Sequence, residues 1–448
     1  MTGERPESPA GPAAPETAEK ADRGRAARST PRRFARRAAG IAAALFVVAW
    51  LVLGVELEGL INRVEPVDLP EVSERARALH AGSFVADLHA DSLLFERDLL
   101  RRGRLGHVDL PRLQEGGVAL QVLGLPTTVY FGTNIDRTEA RGLDLLTAAG
   151  LAKRSRTALQ SPMERALYHA ARAEAFARAS EGQLVPILDR ADLARLLAAR
   201  ARGEAVVGYL LALEGAHALE SDPANLRRAF DAGYRMIGLS HFFDNDYAGS
   251  SAGVARSGLT PLGRATLTEM ERLGIAADLA HLSPAAVDDV LAVATKPVVV
   301  SHTGVRGTCD NARNLSDDQL RRIAARGGVI GLGFWGIAAC GTRPADIARS
   351  IAHVVRIVGA DHAALGSDYD GATTVGFDVR RLASLTQALV DVGLSEAQIR
   401  KVLGENARRL LAATLPAPSP SDRISQAPSR AAAEGGVVAS TSKRAGSD

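Results

Sequence analysis

Between about residues 71 and 414, short runs of nearly unbroken apolar residues alternate with longer stretches of helical period. The runs are FVADLH (84–89), VALQVLG (118–124), GYLLALE (208–214), RMIGLSH (235–241), IAADLAH (275–281), PVVVSH (297–302), GVIGLGF (328–334) and AALGSD (363–368). A strand with one wet face alternates apolar and polar residues. These runs do not, so they suit strands buried on both faces, as in a parallel sheet. The stretches between them carry helix punctuation. In TPLGRATLTEMERLG, Thr260 stands at the N-cap and Pro261 at the first helical position. Eight strands alternating with helices predict an α/β fold, a (β/α)8 TIM barrel, with 125–205 as an insertion of extra helices after the second strand.

A different pattern precedes the barrel. Residues 38–55, AAGIAAALFVVAWLVLGV, run for 18 positions without a charge. At about 1.5 Å per residue they nearly cross a hydrocarbon core of about 30 Å. Arg32, Arg33, Arg36 and Arg37 stand before the run, and Glu56 and Glu58 after it. This asymmetry predicts a single-pass transmembrane helix over 38–58, with the N-terminus in the cytoplasm and the body on the extracytoplasmic side of the inner or plasma membrane. A cleaved signal peptide or a buried helix is the competing account. The long basic flank, and the lack of an A-x-A site after the run, argue against cleavage. The remaining boundaries are a disordered basic segment at 1–37, a linker at 59–70, the barrel at 71–414 and a flexible tail at 415–448.

Charge adds one exclusion. The 54 Lys and Arg exceed the 51 Asp and Glu by three, which invites a nucleic-acid partner. Residues 1–37 hold +4 of that sum and residues 416–448 hold +1, leaving the body at −2. No broad basic face, and hence no nucleic-acid partner, is expected.

Candidate chemistry sits where the predicted strands end. The first ends in His89, with Asp91 two residues on; the third ends in Glu214. The fourth, fifth and sixth end in His241, His281 and His302, and the eighth in Asp368. Four of the chain's ten histidines therefore close strands. One such histidine is unremarkable as a cap or core residue. In a barrel, however, all these ends converge on a single mouth. Imidazole nitrogen and carboxylate oxygen suit zinc or a similar borderline metal. His89 with Asp91, and His281 with His302, form two ligand pairs. Glu214, with two oxygens, can bridge them in a two-metal hydrolase. A bridging lysine is not expected, because none of the five lysines ends a strand on that side. Cys309 and Cys340 could pair or could be two buried thiols; their spacing does not decide.

Several stretches, in order, resemble the membrane (renal-type) dipeptidase family, the M19 metallopeptidases. They are DLHAD (87–91), LEGAH (213–217), LSHFFDN (239–245), DLAHLS (278–283), VSHTGVRGTCDNARNLSD (300–317) and LGSDYDG (365–371). The resemblance spans about 80–414 and implies a barrel of the metal-dependent hydrolase type holding two zinc ions. His89 and Asp91 match the ligands of one ion, His281 and His302 those of the other, and Glu214 the bridge. His241 matches a residue that contacts the substrate carbonyl, Arg313 the arginine that grips the substrate's free carboxylate, and Asp368 the catalytic acid/base. Cys309 and Cys340 fall near the family's disulfide positions.

The expected activity is hydrolysis of dipeptides by a hydroxide held between the ions, whose water would have a pKa near 7. His241 would hydrogen-bond the developing oxyanion, and Asp368 would move the proton, or else orient a ligand histidine. Arg313 would clamp the carboxylate, or else form a surface salt bridge. His217 is either substrate lining or structural, Phe334 and Trp335 either line the pocket or pack the core, and 244–253 either shapes substrate entry or merely connects. Another two-metal amidohydrolase or lactonase of this barrel type is the alternative, and a non-catalytic binding protein the more distant one. The physiological dipeptide is open, and so is whether the protein is a homodimer.

Overall fold

The computed structural model describes residues 40–46, 58–152 and 160–418. The chain divides into two units, Met1–Val55 and Glu56–Asp448. In the first, residues 40–46 are helical, with Ile41, Leu45 and Phe46 exposed. The rest of the expected membrane span up to residue 57, the segment 1–37 and the tail from 419 lie outside the described residues. Among the described residues, no helix is long and apolar enough to cross a membrane.

The second unit is built on eight strands: β1 (Val85–Ala90), β2 (Val118–Leu123), β3 (Val207–Leu213), β4 (Tyr234–Gly238), β5 (Ala276–Asp278), β6 (Val299–Thr303), β7 (Val329–Leu332) and β8 (Ala363–Leu365). Each pairs in parallel with its successor, and β8 returns to β1 through Leu365 opposite Asp87, so the sheet closes. All eight anticipated strands are therefore present. Every residue in them is buried, as the lack of alternation required.

One apolar cluster draws on all eight strands at once, through Ala86, Leu120, Leu210, Met236, Ala276, Val299, Val329 and Ala364. These residues alternate along each strand with those packed against the surrounding helices, so they fill the lumen of the closed barrel. Ala407, Leu410 and Leu411 of the last helix, Asn406–Thr414, join that cluster. Asn406 donates to the carbonyls of Ala360 and Ala363 at 2.6 and 2.8 Å, beside the start of β8. The helix thus plugs the end where strands begin, leaving the C-terminal ends as the open mouth.

Helix punctuation behaves as its chemistry dictates. Pro261–Leu273 starts with the Thr260 hydroxyl accepting from the Gly263 amide at 3.0 Å. It ends at Gly274, whose φ of 81° suits glycine. The insertion after β2 contains helices Leu145–Ala152, Pro162–Ala179 and Arg190–Ala201, but it is not purely helical. Leu184–Pro186 forms a ninth parallel strand beside the start of β3. Three residues ending in proline carry no strand period, so the pattern could not announce it.

Candidate active site

The residues that close the anticipated strands do meet, but they leave the strands in different ways. His89 lies within β1 and Asp91 one residue beyond it; Glu214 follows β3 directly, and His302 lies within β6. His241, His281 and Asp368 stand three residues past β4, β5 and β8, in loops rather than on strand ends as the apolar runs suggested. The local cause is visible. Asp278 at the end of β5 turns its carboxylate back to accept from the Ala280 amide at 3.0 Å, which curls the chain out of the sheet. His281 and Asp368 then take left-handed backbone conformations, with φ of 65° and 60°.

The side chains form one buried cluster around Glu214. Its Oε1 lies 2.9 Å from His281 Nε2, 3.3 Å from His302 Nε2 and 3.7 Å from His89 Nε2. Its Oε2 lies 3.5 Å from His241 Nε2. His89 Nε2 is 3.2 Å from Asp91 Oδ1, and His281 and His302 face each other Nε2 to Nε2 at 2.9 Å. Three overlapping sets place their donor atoms within 4.8 Å of one another: His89, Glu214 and His302; Glu214, His241 and His281; His89, Asp91 and Asp368.

These residues fit metal ions. His89 Nε2 and Asp91 Oδ1 are buried and make no aligned hydrogen bond, even with each other at 3.2 Å, a costly state that a cation would relieve. Asp91, Glu214 and Asp368 crowd three carboxylates into the same buried space. Burial, with the Asp91 charge adding to it, drives the Glu214 carboxyl well above its ordinary range. Burial lifts Asp368 to about 8, His89 opposing and Asp91 reinforcing. Burial and nearby cations hold His241, His281 and His302 well below the usual histidine value, so they offer lone pairs. His89 differs: burial opposes its charge, but Glu214 and Asp91 raise it to about 10. Three neutral imidazoles beside crowded carboxylates are the donor set that suits a divalent ion.

The other anticipated residues sort themselves by contact. Arg313 is buried, donates to the His302 carbonyl at 3.0 Å and lies 3.4 Å from Thr303 Oγ1. It makes no ion pair among the described residues, so the surface-bridge alternative fails. Trp335 stands beside the site, its ring 5.9 Å from that of His302, whereas Phe334 packs against Tyr369 and Phe377 in the core. His217 is half-buried with its ring against Phe243, and desolvation of that ring holds it near 4. The loop 244–253 is more than a connection: Ser250 Oγ donates to the His241 carbonyl at 2.5 Å and the Ser251 amide to the His281 carbonyl at 2.7 Å. Cys309 and Cys340 form a disulfide with Cα atoms 5.3 Å apart.

Three supporting residues went unassigned in the sequence. Asp87 accepts from the Ser367 amide and hydroxyl at 2.8 and 2.7 Å, pinning the turn that carries Asp368. Asp278 accepts from the Ser301 amide at 2.8 Å, next to His302. Gly124 directly follows β2, where a Cβ would fall 2.5 Å from His89 Cε1 and 2.7 Å from Asp91 Oδ1. The aspartates of DLHAD and DLAH, and the glycine closing VALQVLG, were the available signals.

Comparison with known proteins places this geometry. The model of the membrane dipeptidase family, peptidase family M19, matches residues 73–419. The chain belongs to that family. A dipeptidase of Schizosaccharomyces pombe, C3A11.10c, is 32% identical over 215 residues, covering 46% of this chain and 52% of the relative. The chain spans about half the length of the curated relatives it matches. Among solved structures, the M19 metallopeptidase dipeptidase AC is 27% identical with a TM-score of 0.60, covering 74% of this chain and 99% of that one. A metallopeptidase from Rhodobacter sphaeroides, solved with a phosphinate mimic of the dipeptide L-Ala-D-Ala, is 26% identical with a TM-score of 0.60 and the same coverage.

Proposed function

We propose that this M19 family member is a zinc-dependent dipeptidase, acting on dipeptides that carry a free C-terminal carboxylate. The observation that carries the reading is the convergence of two ligand pairs, a shared glutamate, a buried acid and a buried arginine at one barrel mouth. His89 and Asp91 would hold one zinc ion, His281 and His302 the second, and Glu214 both. Bound ions would supply an electrophile for the scissile carbonyl and a nucleophile usable at neutral pH.

The protein's own groups do the rest. His241, held neutral by burial, keeps one N–H to donate to the carbonyl oxygen as its charge grows. Asp368, when ionised, takes the proton of the attacking water and returns it to the departing amine; burial raises its proton affinity, which favours the first of these transfers. Arg313 has five N–H donors, and its contacts to His302 and Thr303 leave others for a carboxylate. A clamp at fixed distance from the reacting centre selects dipeptides over longer chains. The dipeptide mimic bound by the Rhodobacter relative supports the same substrate class.

We further infer an N-terminal membrane anchor with the barrel outside the cytoplasm, supported by the uncharged run 38–55 and its basic flank. A soluble full-length protein with an intact N-terminus would refute it.

Arg313 tests the substrate class. Wild-type protein should cleave a free dipeptide about 10²-fold better in kcat/KM than its C-terminal amide, the scale of one desolvated charge pair. Arg313→Ala should abolish most of that preference through KM. An unchanged kcat/KM for the free dipeptide in Arg313→Ala would overturn the clamp.

A further inference from the structure

A second cavity, of about 310 Å³, opens between the segment 101–106 after β1 and the segment 376–381 after β8. No residue of the metal-ligand cluster lines it. Its walls carry five arginines, Arg102, Arg104, Arg112, Arg380 and Arg381, against one carboxylate, Asp378. Some of that charge is already matched. Arg112 is buried, its Nε on Asp109 Oδ2 at 2.8 Å, and Arg380 holds Asp378 at 2.8 Å. Arg102 meets Glu115 at 2.5 Å in a half-exposed pair that water screens.

Arg104 and Arg381 are different. Both are exposed on the rim, and neither forms an ion pair among the described residues. Five guanidinium groups against three carboxylates leave a local excess of positive charge on a body whose own sum is negative. The remaining walls are apolar, with Val64, Leu69 and Phe377. Val64 stands nine residues after Val55, where the uncharged run ends, and Arg63 beside it is exposed.

We propose that this cavity binds a phosphate ester, held by Arg104 and Arg381 on the rim. A planar guanidinium fork matches phosphate oxygens, and apolar walls suit the glycerol or alkyl part of the same molecule. In the anchored protein the natural source is the headgroup of an anionic phospholipid, because only nine residues of chain separate the end of the uncharged run from Val64 in the cavity wall. That source, though not the cavity, rests on the anchor proposed above. Lipid binding would lay the barrel against the bilayer instead of leaving it on a loose tether.

The test uses the full chain in neutral phosphatidylcholine vesicles and in vesicles containing phosphatidylglycerol. Hydrogen exchange is followed at the amides of 101–106 and 376–381. Binding at ten times the dissociation constant slows exchange through local opening about tenfold. The expected result is slowing by phosphatidylglycerol only, reversed by high salt and absent in the Arg104→Gln/Arg381→Gln variant, which keeps its dipeptide hydrolysis. A parallel arm adds soluble glycerol phosphate to the neutral vesicles. Slowing there, without more from the lipid, keeps the phosphate site and assigns it a soluble ligand. Unchanged exchange with both anions, or equal slowing in the variant, overturns the proposal. Failure of the chain to stay with any vesicle would refute the anchor, while the glycerol phosphate arm would still test the cavity.

Discussion

Asp87 shows how much of this site depends on residues that touch no reacting group. Its carboxylate takes the Ser367 amide, the Ser367 hydroxyl and the Gln121 amide nitrogen, all within 2.8 Å. Ser367 Oγ also reaches the His89 carbonyl at 3.0 Å, so one carboxylate ties the ligand strand β1 to the turn bearing Asp368. Thr373 secures the other side of that turn, donating to the Asp368 carbonyl at 2.7 Å. Loss of such an outer contact costs about 10–100-fold in metal affinity or activity. Asp87→Ala should therefore lower kcat for dipeptides by that order while the protein still folds, as checked by circular dichroism and steady-state kinetics. The sequence displayed Asp87 inside DLHAD, but an aspartate in an apolar strand has no period or spacing to mark its partner. Ser367 is 280 positions away, and only the closure of β8 onto β1 brings the two together.

At the scale of elements, the strands were legible because burial on both faces removes polar residues from them. Their ends were less so. The apolar run does not stop where the hydrogen-bond ladder stops, so His241, His281 and Asp368 looked strand-terminal although turns carry them. The clustering was still legible, because a loop of three residues cannot take a side chain far from its strand's mouth. The disulfide is the element-scale device that holds Arg313. It joins the loop after β6 to the short helix Gly336–Ala339. Asn314, next to Arg313, donates to the carbonyls of Cys309 and Ile337 at 2.7 and 3.0 Å across the same junction. Cys309→Ser/Cys340→Ser should release this loop and raise KM for dipeptides more than it lowers kcat. Calorimetry should show a lower Tm, since a bridge over 31 residues is worth about 3–4 kcal/mol in the chain-entropy account.

For the whole molecule, buried neutral histidines set the response to acid. His169, in Pro162–Ala179, accepts from Arg172 at 3.3 Å. Burial, reinforced by the Arg172 charge, pushes it down to about 3. The unfolded chain, with an ordinary histidine near 6.5, binds the proton more readily. Its contribution to stability is thus full above about pH 6.5 and is lost as pH falls toward 3, by up to about 1.4 kcal/mol per pH unit. His169→Gln should flatten the fall in Tm between pH 6.5 and 4; an unchanged pH profile would contradict this. A net +3 concealed a body at −2, and the positive charge that matters on the body is local, at a cavity formed only when the segments after β1 and β8 meet.

In the proposed function, the cluster around Glu214 holds the metal that makes dipeptide hydrolysis possible. The most direct measurement counts zinc per chain and follows dipeptide hydrolysis by the full protein before chelation, after it, and after zinc is returned. About two ions per chain, loss of hydrolysis on chelation and recovery with zinc are expected. Undiminished hydrolysis by protein holding less than about one ion per chain would contradict this role, as would no hydrolysis with both positions filled.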